Sequence, residues 1–90
     1  MLIDGETGAF ISRQIDYPGG PGLVEIAAAA DDPVVALERL GGNDLTWVII
    51  AFTNGDNAVI NFVLDKCILR LGQTSGTNVF ADIRTRRISV

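Results

Sequence analysis

Ninety residues with a net charge of −4 and no histidine exclude several classes of protein together. A chain this short supports one domain, because two would each lack the volume for a core. The acid surplus argues against free nucleic acid as a partner, since phosphate binding draws on Lys and Arg, and the missing imidazole removes the commonest general base and metal ligand. Hydrophobic residues make up 48% of the chain and the mean hydropathy is +0.33. That is rich for a domain that buries only about 60–65% of its unfolded surface, and it points to apolar surface covered by another chain.

The charge is unevenly placed. Residues 1–45 hold eight acids and two bases, whereas residues 46–90 hold three acids and five bases. The single cysteine, Cys67, excludes an internal disulfide and fits a reducing compartment. The opening residues carry acids and no cationic run, unlike a signal peptide. No apolar run approaches the ~20 residues of a membrane helix, so the expected setting is soluble and cytoplasmic.

In chain order, Asp4-Gly5-Glu6-Thr7-Gly8 reads as a turn. Phe10–Asp16 reads as a strand, with Phe10, Ser12, Gln14 and Asp16 on one side and Ile11, Arg13 and Ile15 on the other. Tyr17–Gly22, with two prolines and three glycines, reads as a connector. It lacks the Lys and Ser or Thr that a phosphate-binding loop requires. Leu23–Ala30 carries both helical signals, from its alanines, and strand signals, from its alternation; its place before a separate helix start favours strand.

That helix start is Asp32-Pro33. Asp32 suits an N-cap, Pro33 the first helical position and Gly41 the position past the end. Val34, Leu37 and Leu40 then form one stripe, which predicts a helix over about 33–40, too short to be stable without packing. Asn43–Thr53 is dense in β-branched and aromatic residues and reads as a strand. Asn54–Asn57 reads as a tight turn, and Ala58–Asp65 as the returning strand of a hairpin. Within that hairpin Val48 and Ile50 are expected to be buried in a central strand, and Trp47 and Ile49 to lie beside Ile60 and Phe62 on a second, uncovered face. Lys66–Gly72 continues the pattern, with Cys67, Leu69 and Leu71 opposite Lys66 and Arg70. Gln73–Asn78 reads as a polar turn. The last strand places Val79, Ala81 and Ile83 on one side and Asp82, Arg84 and Arg86 on the other, with a slip of phase at Arg86-Arg87. The expected fold is α+β: a mostly antiparallel sheet of five or six strands with one short helix.

Catalytic chemistry is sparse. Cys67 sits in a strand pattern among Ile68 and Leu69, which fits an inert buried thiol. Asp31-Asp32 is accounted for by helix capping, and no acid spacing matches a calcium loop. No enzyme activity, metal or cofactor is expected. The leading reading is a non-catalytic protein-binding or self-assembling structural or adaptor module. Its interface would comprise Trp47, Ile49, Ile60 and Phe62, with Arg84, Arg86 and Arg87 at a rim facing Asp31 and Asp44 of a neighbouring copy. The alternative is a small acidic inhibitor, of the immunity or anti-defence kind, that sets Asp4, Glu6, Asp16, Glu25, Asp31, Asp32 and Asp44 against a basic target. The solution mass separates the two.

Overall fold

The computed structural model describes the backbone of residues 1–54 and 58–85, and the side chains of these residues other than 29–32, 53 and 54. Among the described residues there is no helix. The chain forms β1 (Ile3–Glu6), β2 (Phe10–Ile11), β3 (Ile15–Tyr17), β4 (Gly20–Leu40), β5 (Trp47–Asn54), β6 (Ala58–Leu64) and β7 (Cys67–Thr85). All pairings are antiparallel within one 7-stranded sheet. The α+β expectation is therefore corrected to all-β.

Two strands organise the sheet. β4 has 21 residues and β7 has 19. Straight strands of those lengths would run about 69 and 63 Å at ~3.3 Å per residue, yet the longest dimension of the molecule is 37 Å. Both strands must bend, and the sheet curls over on itself. β4 bends where its register against β7 slips, between Ala30, Val34 and Val35. β7 bends near Gly76, whose φ of 128° is closed to most side chains. The two corners touch: a Cβ on Gly76 would lie 2.9 Å from the Cβ of Pro33.

The bend divides the sheet into two leaves. In one, β7 and the first half of β4 are flanked by β1 and β6; in the other, β7 and the second half of β4 are flanked by β2, β3 and β5. Val24, Ile26, Phe62, Val79 and Ala81 from the first leaf meet Tyr17, Val35, Leu37, Leu69 and Leu71 from the second in one buried cluster. The shortest dimension, 18 Å, suits two layers about 10 Å apart plus their outer side chains. At the seam, the Pro18-Gly19 turn abuts the Asp65-Lys66 turn: a Cβ on Gly19 would meet the Lys66 amide nitrogen at 3.0 Å.

The segment read as a helix, Pro33–Leu40, is the second half of β4. It pairs with β5 from Val34↔Asn54 to Leu40↔Trp47, and with β7 from Val34↔Ser75 to Arg39↔Leu69. Two helical turns gain few internal hydrogen bonds and face a costly nucleus. A strand flanked on both sides satisfies its backbone along its length, and Val35 and Leu37 alternate into the core with no exposure. Pro33, with no N–H to donate, is tolerated because it falls at the register slip. Asp32 consequently caps no helix.

Other boundaries shift too. Asp4–Glu6 belongs to β1, which carries a bulge there. The strand expected over Phe10–Asp16 is split, because Ser12 takes over part of the ladder: its N–H donates to Leu71 O at 2.9 Å, and its Oγ accepts from Leu71 N–H at 2.8 Å. Gly20–Gly22 of the expected connector pairs with β6. The strand reading of Leu23–Ala30 agrees with β4. In β7, Cys67, Leu69 and Leu71 share a side as expected, as do Val79 and Ala81, and in the fold that side faces the core. Gln73–Asn78 is a corner within β7 rather than a turn between strands.

The largest correction concerns the hairpin centred on Asn54–Asn57. Among the described residues β5 and β6 do not pair with each other. They lie end to end along the same side of β4, β5 against Val34–Leu40 and β6 against Gly20–Ile26. Gly55, Asp56 and Asn57 lie outside the described residues. The real hairpin joins β4 to β5 through residues 41–46, where Gly41 N–H donates to Thr46 O at 2.7 Å.

Candidate functional site

β5 sits at the end of the strand order β1-β7-β4-β5, so one of its sides has no strand beside it among the described residues. Val48 and Ile50, expected in a buried central strand, are 48% and 37% exposed. Ile49 and Phe52 are 60% and 65% exposed. Neither face of this edge is well covered. From Leu45 to Gly55 the sequence holds no charged residue, and none occurs from Asn57 to Leu64.

The outer face beside β5 is anchored by charge. An Arg70 Nη2 donates to Glu38 Oε1 at 3.0 Å. The guanidinium carbon lies 4.1 Å from the centre of the Trp47 ring, a cation–π contact. Glu38 folds its carboxylate across Gly72, where a Cβ would collide with Oε2. The Arg70 Nε is buried without a hydrogen-bond partner among the described residues, and the neighbouring indole face offsets part of that cost. Arg70 and Glu38 face each other across β7 and β4, so the pair also fixes the register that β5 inherits.

The expected interface residues separate into groups. Trp47 and Ile49 do lie on exposed or half-buried positions of β5. Ile60 and Phe62 do not join them. Phe62 is 8% exposed, and Ile60 packs on the core; both face inward because β6 pairs with Gly22 and Val24 of β4 instead of with β5. Phe62 meets Tyr17 with ring centroids 5.3 Å apart. Arg84 is exposed and pairs weakly within its own chain, 3.7 Å from Glu25. Asp44 is exposed in the β4–β5 loop with φ 56°. Asp31 lies in the backbone of β4 with its side chain outside the described set, and Arg86 and Arg87 lie outside the described residues. Sequence reasoning missed Phe52 of β5 and the exposed Val59 and Val63 of β6. The signal that could have found them was the absence of charge across residues 45–55 and 57–64.

Burial pushes the Cys67 thiol above its ordinary value, Arg39 pulls it down and Asp65 pushes it up again, the opposite of an activated thiolate. Among the described residues no three potential metal ligands cluster, and no helix is long and apolar enough to cross a membrane. A groove of about 270 Å³ on the outer side of the first leaf is lined by Met1, Val59, Phe80, Glu25, Asp82 and Arg84. It is smaller than the ~300–1,000 Å³ typical of ligand pockets.

Among the described residues, fold and surface define an all-β domain with a sheet margin at β5 that no other strand covers. No protein-family model, curated protein or solved structure matches the chain.

Proposed function

We propose that this chain is a non-catalytic protein-binding module that assembles with copies of itself through the sheet surface its own fold leaves uncovered. The observation that carries the reading is β5: a strand of 8 residues at the sheet edge, apolar on both faces and free of charge. Natural edge strands are blunted by charges, prolines, shortness or cover, because a bare edge recruits other strands. A bare apolar edge in a working protein therefore has a partner.

Sedimentation of the wild-type chain over a hundredfold dilution from micromolar concentrations tests this. A mass above 9.6 kDa at the upper end supports self-assembly. A mass that stays at the single-chain value refutes it, and leaves the acidic-inhibitor reading, in which exposed Asp4, Asp16 and Asp44 face a basic target.

A further inference from the structure

The structure assigns a partner and a register to this edge: we propose that β5 pairs antiparallel with β5 of a second copy about a two-fold axis between Ile50 and Ala51. The inference rests on the self-assembly reading above and specifies its contact.

Three observations lead there. The two margins of the sheet differ. The margin formed by β1, β2 and β3 is broken into three short strands, bulged between Asp4 and Glu6 and studded with Asp4, Glu6, Arg13 and Asp16. Those are the devices that keep an edge from pairing. The β5 margin has none of the charges and is one unbroken strand of 8 residues; its register slip, at Ile50, leaves Ile49 and Phe52 on a common face. A guarded edge cannot serve as the partner of a bare one, so head-to-tail growth of β5 onto the β1–β3 margin of the next molecule is blocked. What remains is bare edge against bare edge: of β5 and β6, which share this margin of β4, β5 is the longer, with 8 residues against 7, and β5 against β5 closes as a two-fold pair.

The second observation is charge. An isologous contact sets each side chain against a copy of the same strand, so charges of one sign along it would oppose one another. β5 carries no charged side chain, so self-pairing brings no such repulsion. A charged partner strand would find no counter-charge here.

The third is the side each residue occupies. Ile49 lies opposite Glu38, and Phe52 opposite Ala36. Glu38 and Ala36 alternate with the buried Leu37 and Val35, so Ile49 and Phe52 both point to the outer face. They share it despite their odd spacing because the register against β4 slips between Leu37 and Glu38, which makes Ile50 the extra residue. A two-fold axis between Ile50 and Ala51 sets Ile49 of one copy beside Phe52 of the other, both outward, and repeats the pair by symmetry. Without the slip these residues would fall on opposite faces and the register would fail. Such an edge, ~26 Å long and one sheet thick, presents less than the ~800 Å² per partner of a standard interface. The pairing therefore belongs in the micromolar range.

The test uses Ile49→Lys and Phe52→Glu, both at exposed positions whose replacement spares the core, with Val63→Lys on β6 as a control. Sedimentation of the wild type should give twice the 9.6 kDa chain mass at high concentration. Each β5 variant alone should raise the dissociation constant about tenfold or more, because each disrupted cross-strand pair occurs twice. An equimolar mixture of the two should dimerise again, since the mixed pair contains one Lys–Glu contact and one Ile–Phe contact. Val63→Lys should dimerise like the wild type. Hydrogen exchange on the wild type should show protection of β5 amides that grows with concentration, a readout independent of any variant's folding. An oligomer unaffected by both β5 variants, a mixture that stays monomeric, a mass that keeps rising with concentration, or β5 amides without concentration-dependent protection would each overturn the pairing while leaving self-assembly standing. A wild type that is monomeric throughout overturns both.

Discussion

Gly22 offers a sharp test of how the two leaves meet. It lies in β4 opposite Phe62, beneath the rings of Tyr17 and Phe62. A Cβ added there would sit 2.5 Å from the Tyr17 hydroxyl oxygen, 2.6 Å from Phe62 Cζ and 2.8 Å from Phe62 Cε2. Optimal contacts between such atoms lie near ~3.5–4.0 Å, so the methyl of Gly22→Ala overlaps two rings by about 1 Å. Neither ring yields freely. The Tyr17 hydroxyl donates to Gly20 O at 2.8 Å, and both residues are buried. Overpacking of this kind costs about 1–3 kcal/mol, while replacing a strand glycine returns roughly 0.5–1 kcal/mol of backbone entropy. The expected net loss is about 1–2 kcal/mol, against a total of about 5–13 for a chain of this length. Urea unfolding should show a lower midpoint with an unchanged slope. Gly42→Ala, at a position with nothing within 4 Å of the new Cβ, should stay within about 0.5 kcal/mol of wild type. In the Gly22→Ala background, Phe62→Leu should cost less than it does alone, because it opens space for the methyl. A Gly22→Ala protein as stable as wild type would show that the rings do not close over β4, and the two-leaf packing would be wrong.

Further outcomes follow from other parts of the sheet. Leu37→Ala, at a position with no exposure, should lose about 2–5 kcal/mol in the same unfolding assay; a negligible loss would mean that residues 33–40 do not form the central strand. Arg70→Met removes the cation above the only tryptophan and should change Trp47 fluorescence as well as costing about 1–3 kcal/mol; unchanged emission would refute the stacking. Burial raises the Cys67 thiol above its ordinary 9.0 and, for the most part, the Tyr17 hydroxyl above its ordinary 10.0. Above those values the unfolded chain releases protons that the folded chain retains, so stability should be full below pH 9.0 and fall as the pH rises past it. Cys67→Ser should remove the first part of that fall, and a profile identical to wild type would assign it elsewhere.

The periodic, apolar segments were legible in the sequence because their side-chain alternation is a local property. Leu69 and Leu71, and Val79 and Ala81, read as pairs sharing a side, and in the fold each pair is buried. The absence of histidine was legible from composition alone. The bare edge was half legible. Trp47 and Ile49 stood out by type, but Phe52 and Val63 did not, because exposure depends on what lies opposite a strand and not on the strand itself. Ile60 and Phe62 were placed on the wrong surface for the same reason: which neighbour a strand pairs with decides which of its faces is buried.

The segment Asp31–Gly41 marks the boundary between the two kinds of information. Its acids, its proline and its glycine are local helix signals, and within the segment they are consistent with one another. They are worth at most a few kcal/mol together, and they act on eight residues that cannot bury a face alone. The folded chain offers those residues β5 on one side and β7 on the other, with backbone hydrogen bonds to both and a core for Val35 and Leu37. Sequence by itself determined that this was an apolar chain, small enough for a single domain, with alternating strand segments. Only the tertiary structure decided that β4 would run through its own helix signals, bend at Pro33 and leave β5 at the margin. The pairing of β4 with β7 is non-local: Leu37 faces Leu71, tens of positions away, and no short window of the sequence contains both partners.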